Sequence, residues 1–308
     1  MSPGRKPLSN PDPHPGTQHN TTGKTRIAAA RPNCIPIMIR VRSWFVVLLP
    51  LLLITACEVP EDADTPDAIL LDGSFVDLTH PFDDETLYWP TAEPFELETE
   101  FAGETDNGFY YEAHRFSASE HGGTHLDAPI HFAEGMDRTG DVSLNRLIAP
   151  AVRVDMGPEA SADPLYQIQV EDLTAWEDVH GEIEPGDIVL LHTGFSNYWP
   201  DAEQYLGTEE RGEEAAADLE FPGLHPDAAA WLVENRDIAA IGIDTASIDY
   251  GQSADYQTHR HLAKANIPIF ENVANTGELP DTGFHVIALP MKIAEGSGGP
   301  LRIVAALP

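Results

Sequence analysis

Two unbroken apolar runs on either side of a helical pattern constrain this chain most. Gly186-Asp187 launches Ile188-Val-Leu-Leu-His192, and Ile238-Ala-Ala-Ile-Gly-Ile243 forms a second run. A strand with one wet face alternates apolar and polar residues, so runs without alternation read as strands covered on both faces. Between them Pro226 stands where a first helical residue belongs, and residues 228 to 235, with Trp231 and Leu232 apolar, continue the helix. A strand–helix–strand succession makes the sheet at least partly parallel. Around it the pattern predicts a short strand at Ser74-Phe-Val-Asp-Leu78, ending before the turn-forming His80-Pro81. It also predicts a helix over 256 to 265 with Asn266 as its left-handed cap, and strands at 267 to 270, 286 to 289 and 301 to 306. The expectation is a mixed α/β domain with more strand than helix.

The 308 residues do not all belong to that domain. Residues 43 to 56 form a short apolar run behind Arg40 and Arg42, whereas a bilayer span needs about 20 apolar residues. A basic flank, a short apolar core and small residues at its end describe an export signal. The run closes on Ile54-Thr-Ala-Cys57, which resembles a bacterial lipobox with Cys57 as the lipidated first residue of the mature protein. On this reading residues 38 to 56 are a lipoprotein signal peptide starting at Met38. Residues 1 to 37, rich in Pro, Asn, Thr and Gly without apolar periodicity, are then a disordered, over-extended start. Residues 57 to 70 read as an acidic tether, leaving 71 to 308 as the folded domain. The protein is expected to be exported and anchored to a bacterial membrane, on its periplasmic or cell-surface side, only through the lipid on Cys57.

Removing residues 1 to 56 takes away seven of the 17 Lys and Arg but one of the 51 Asp and Glu, so the mature part carries a formal charge of −40 on 252 residues. So acidic a surface repels nucleic acid and anionic headgroups, which excludes nucleic-acid binding as a function. It also repels itself unless salt screens it. With Lys264 and Lys292 the only mature lysines, a salt-adapted organism is expected. Cys57 is the sole mature cysteine, so neither a disulfide framework nor a thiolate metal site is available. Any metal site is built from His, Asp and Glu, which favours zinc or manganese.

His121-Gly-Gly-Thr-His125-Leu-Asp127-Ala-Pro-Ile-His131 places three histidines and an aspartate within 11 residues. Gly122, Gly123 and Pro129 argue against a regular helix and equally against a strand. They suggest an irregular loop that folds four side chains toward one point. Neutral imidazoles and a carboxylate bind a divalent ion; three protein ligands leave a position for water, whose pKa then falls toward about 7. A fourth imidazole nearby can shuttle protons to a leaving amine.

The pattern His-x-Gly-Thr-His-x-Asp-x-Pro-x-His resembles the signature of the cyclase-type metal-dependent amidohydrolases, the family of bacterial kynurenine formamidases (arylformamidases) and isatin hydrolases. The resemblance continues at Phe75-Val-Asp-Leu-Thr-His-Pro81, Gly186-Asp-Ile-Val-Leu-Leu-His-Thr-Gly194, Ile241-Gly-Ile-Asp-Thr-Ala-Ser-Ile-Asp249 and Leu289-Pro-Met-Lys-Ile293. It implies a swivelling β/β/α fold, a homo-oligomer (dimer or tetramer), and hydrolysis of a small non-peptide amide by metal-bound hydroxide. His121, His125 and Asp127 match the ligands of one ion and His131 matches the proton-shuttling histidine. In two-zinc members Asp127 would bridge to a second ion held by His259 and Glu271; members with a single manganese also exist. His261, ten residues before that glutamate, is the competing position and is read as exposed. Trp89-Pro90 resembles a pocket-lining pair of the formamidases, although Thr91-Ala92 replaces their Gly-Asp; Trp89 packed in the core is the alternative. His80, His114, His192, His225 and His285 read as structural or surface residues, and Asp244 and Asp249 as braces near the site. The candidate substrates are an aryl formamide such as N-formylkynurenine or a cyclic amide such as isatin. A lipid-anchored binding protein without catalysis is the reading from another class; it predicts damage to the ligand set, and all six positions are intact.

Overall fold

The computed structural model describes residues 73–308. The apolar run before Cys57, the tether and the first two residues of the expected domain lie outside the described residues. In chain order the strands are β1 (Ser74–Asp77), β2 (Glu96–Glu104), β3 (Tyr110–Ser117), β4 (His125–Asp127), β5 (Ile148–Asp155), β6 (Gln167–Ile168), β7 (Ile188–His192), β8 (Gly223–Leu224), β9 (Ala240–Ile243), β10 (Ile269–Glu271), β11 (Phe284–Pro290) and β12 (Gly298–Leu307). The α-helices are α1 (Leu144–Leu147), α2 (Gly157–Ala162), α3 (Val170–His180), α4 (Ala202–Leu206), α5 (Pro226–Asn235) and α6 (Gln257–Lys264). Strand exceeds helix, as the sequence pattern predicts. No helix among the described residues is long and apolar enough to cross a membrane.

Eight strands run in the order β1-β12-β11-β5-β7-β9-β10-β4, and β4 pairs again with β12, so the sheet closes on itself. The β5–β7, β7–β9 and β9–β10 pairs are parallel; the pairs made by β4, β11 and β12 are otherwise antiparallel. The alternation of each strand divides the apolar residues between two cores. Ile188 and Leu190 of β7, Ala240 of β9 and Phe270 of β10 point into the closed sheet, against Leu126, Val286 and Ile303. Val189, Leu191, Ile241, Ile243 and Ile269 point outward and are covered by Leu173 and Trp176 of α3, Ala228 and Leu232 of α5, and Leu262 of α6. This double coverage is why the β7 run needs no polar alternation.

Helix boundaries follow local chemistry. Pro226 opens α5, where the His225 ring accepts the Asp227 N–H at 3.1 Å. The Asp172 carboxylate accepts the Gln169 N–H at 2.7 Å at the start of α3. Asn266 follows α6 with φ +60°, the left-handed cap its position predicts. Two elements depart from the sequence pattern. The β2–β3 hairpin carries almost wholly exposed residues and a bulge between Thr99 and Phe101, so it lacks the one-sided alternation that reveals a strand. The His121-to-His131 segment, expected to be an irregular loop throughout, contains β4 and a 3-10 turn at Pro129–His131. Pairing with β10 on one edge and β12 on the other holds β4 extended despite its glycine and proline neighbours.

Candidate metal centre

Strand β4 explains how one short segment delivers several ligand types. His125 and Asp127 share a face, while Leu126 between them enters the closed-sheet core. His125 lies directly opposite Glu271 of β10, and opposite residues of an antiparallel pair share a face, so a histidine and a glutamate 146 positions apart in sequence become neighbours. His259 projects from α6 and is 3% exposed, whereas His261, two residues on, faces solvent. The turn ahead of β4 depends on its glycines. A Cβ on Gly122 would sit 2.0 Å from the Tyr88 ring, and Gly123 holds φ +56°.

Asp127 is the centre of the arrangement. Its Oδ1 lies 2.6 Å from His121 Nδ1 and 3.0 Å from His125 Nε2; its Oδ2 lies 3.3 Å from His259 Nε2 and 3.8 Å from His131 Nε2. Glu271 places Oε1 3.1 Å from His259 Nε2 and Oε2 3.5 Å from His125 Nε2. Ligand atoms of His125, Asp127 and Glu271 fall within 4.8 Å of one another, as do those of His121, Asp127 and His131. All six residues named from the sequence motif and the resemblance therefore meet, with Asp127 in both groups.

The hydrogen bonds decide what these groups can hold. His125 Nδ1–H donates to the Gly123 carbonyl at 3.0 Å, which leaves Nε2 with a lone pair facing two carboxylates. That nitrogen is buried and has no hydrogen-bond partner among the described residues. His259 repeats the logic: Nδ1–H donates to Asp249 Oδ2 at 2.6 Å, and Nε2 faces Asp127 and Glu271. Lone pairs aimed at buried carboxylates are stable only around positive charge, supplied by added protons or by a cation. The titration tendencies agree. Burial opposes charge on His125 and His259, yet the facing carboxylates outweigh it and raise both. Burial pushes Asp127 up, and the histidines around it hold it well below the ordinary carboxylate range. An oxygen and nitrogen donor set without thiolates fits a divalent ion such as zinc or manganese.

His131 stands apart. Its ring stacks on His121 at 3.8 Å between centroids, on the wall of a cavity of about 340 Å³. Burial lowers it from 6.5 to about 4, only partly offset by Asp127, so it is neutral at pH 7. Trp89, Phe132 and Tyr256 also line the cavity, with ring centroids 6.4 Å (Trp89–Tyr256) and 5.4 Å (Phe132–Tyr256) apart, beside Leu87, Leu206, Ser247 and Asn272. Trp89 also packs edge-on against Phe221, so the pocket and core readings of this residue hold together. No Lys or Arg among the described residues lines the cavity. Arg211 donates to the carbonyls of Tyr88 and Ala92, two of the lining residues.

The remaining histidines lie elsewhere. His192 bonds Thr276 at 2.7 Å and faces the fully buried Asp244, which also accepts from Thr193 and Gly194; this is a brace between β7 and β9. Asp249 braces His259 directly, as given above. Sequence reasoning passed over Glu120, Ser297, Phe132 and Tyr256. The one available signal was the glycine-rich Gly296-Ser-Gly-Gly-Pro300, which marks a close backbone approach: a Cβ on Gly298 would lie 2.5 Å from the His121 ring.

Comparison with known proteins places this geometry. Residues 76–250 match the Cyclase family model, described as "Putative cyclase". The chain is 34% identical over 197 residues to an isatin hydrolase from Roseibium aggregatum, covering 61% of this chain and 72% of that one. It is 28% identical to a kynurenine formamidase from Bacillus mycoides, covering 75% of this chain and 97% of that one. Among solved structures, isatin hydrolase A from Ralstonia solanacearum superposes with a TM-score of 0.69 at 30% identity, over 76% of this chain and 92% of that one. A shared strand-rich fold and the match across more than half of the sequence lead to one conclusion: the chain belongs to the cyclase family.

Proposed function

We propose that this protein is a metal-dependent hydrolase of a small aromatic amide. The observation that carries the reading is the buried, unpartnered Nε2 of His125 facing Asp127 and Glu271, beside an aromatic cavity. His121, His125 and Asp127 would hold one ion, and Asp127, His259 and Glu271 a second. A divalent ion there supplies the Lewis acidity that activates water and polarises a carbonyl. The chain's own residues do the rest. His131 Nε2, neutral at pH 7, takes the proton of the attacking water and passes it to the departing nitrogen. Trp89, Phe132 and Tyr256 hold a flat ring against the site and exclude bulk water.

The similar kynurenine formamidase makes an aryl formamide such as N-formylkynurenine the first candidate substrate. A specific feature favours the second, a cyclic amide of the isatin type. N-formylkynurenine carries an α-carboxylate, yet no Lys or Arg among the described residues lines the cavity, and Thr91-Ala92 replaces the Gly-Asp of the formamidase pattern. A neutral ring system needs no cationic partner. Purified protein loaded with zinc or manganese is assayed on both compounds. Faster turnover of isatin supports the neutral-substrate reading, faster turnover of N-formylkynurenine reverses it, and no turnover of any amide by metal-loaded protein overturns the hydrolase assignment.

A further inference from the structure

We infer that Ser297 and Glu120 are positioning residues that fix His121 in the opposite tautomer to His125 and His259, so that His121 meets a metal through Nδ1. The inference rests on the reading that His121 is a ligand. The Glu120 carboxylate Oε2 lies 2.9 Å from the Ser297 N–H and 2.8 Å from the Ser297 hydroxyl. An ionised carboxylate only accepts, so the single hydroxyl hydrogen of Ser297 points at Glu120. Ser297 Oγ is also 3.0 Å from His121 Nε2, and with its hydrogen committed it can only accept there. His121 therefore carries its proton on Nε2. Nδ1, 2.6 Å from Asp127 Oδ1, is then the nitrogen left to meet a cation.

His125 and His259 are held the other way round. Their Nδ1–H groups donate to the Gly123 carbonyl and to Asp249, which leaves Nε2 free. Three imidazoles thus present lone pairs around Asp127, each fixed by a different acceptor: a backbone carbonyl, a carboxylate, and a serine backed by a carboxylate. Outer partners of this kind orient the ligand ring and raise its basicity. Gly298 belongs to the device, because a Cβ there would come within 2.9 Å of His121 Nδ1 and turn the ring. Strand β12 pairs with β4, and Ser297, the residue just before β12, reaches His121.

Long-range proton–nitrogen correlation spectra of the zinc-loaded, full-length protein report each tautomer directly. The expected result is an Nε2–H pattern for His121 and Nδ1–H patterns for His125 and His259. Ser297→Ala is expected to weaken zinc binding by about 10- to 100-fold, read by competition with a chromophoric chelator. Ser297→Thr, which keeps the hydroxyl, is expected to restore both affinity and the Nε2–H signature. Zinc bound with the proton of His121 on Nδ1, or Ser297→Ala binding zinc as tightly as the parent protein, would overturn the inference while leaving the metal centre intact. Failure of the parent protein to bind zinc or manganese at all would instead overturn the metal-centre reading.

Discussion

Replacing Asp249 by Asn probes the second half of the site without changing its shape. Asp249 is 2% exposed and accepts four hydrogen bonds: Oδ1 from the Thr258 N–H (3.1 Å) and the Ser253 hydroxyl (3.2 Å), Oδ2 from the His259 N–H (3.1 Å) and His259 Nδ1–H (2.6 Å). An amide has one accepting oxygen and one donating nitrogen. If the amide oxygen faces His259, the amide N–H₂ meets the Thr258 N–H, donor against donor. If the nitrogen faces His259, the ring must move its proton to Nε2, where it blocks the lone pair aimed at Asp127 and Glu271. Either way a charge-assisted bond is lost in a buried place, a cost of about 1.5–3 kcal/mol to the fold. Loss of such an outer partner also costs about 10- to 100-fold in metal affinity, equivalent to about 1.4–2.8 kcal/mol. Denaturant unfolding of metal-free and metal-loaded protein, with a chelator competition titration, separates the two effects. Both stability and affinity are expected to fall. A variant that loses stability but binds metal as tightly as the parent would refute the reasoning and reduce Asp249 to a helix cap for α6.

His131→Ala is expected to keep its metal while losing about 10²- to 10⁴-fold in turnover. Because His131 groups with His121 and Asp127 within ligand range, loss of metal from this variant would instead make it a ligand. A pH effect comes from His80, buried and stacked on Trp199 at 4.1 Å, which burial lowers from 6.5 to about 4 despite the nearby Asp244. Its folded-state value lies below the unfolded one, so its contribution is whole above pH 6.5 and is lost as the pH falls toward 4. The size is about 3 kcal/mol, from about 1.36 kcal/mol per unit. Unfolding measured at pH 7 and pH 4 should therefore differ less for His80→Phe than for the parent protein, and equal losses would contradict this assignment.

The sequence made some of this architecture legible and hid the rest for physical reasons. Strands β7 and β9 were readable because coverage on both faces leaves an unmistakable apolar run. The cluster from His121 to His131 was readable because four ligand-type residues fall on one short segment. His259 and Glu271 sit on different elements, and only the family pattern joined them to the others before the cross-strand pairing of His125 with Glu271 could be seen. Strand β4 was hidden because its extended shape comes from two neighbouring strands rather than from its own residues. Ser297 and Glu120 are ordinary polar residues 177 positions apart, with no periodicity to single them out; closure of β4 onto β12 gives them meaning.

The most direct measurement is anomalous diffraction from crystals grown with zinc or manganese, recorded at the absorption edge of that metal. The account predicts a peak about 2.0–2.2 Å from an Asp127 oxygen and from His125 Nε2. A second peak toward His259 and Glu271 is expected where both sites fill. A catalytically active crystal with no anomalous density at Asp127 would contradict it.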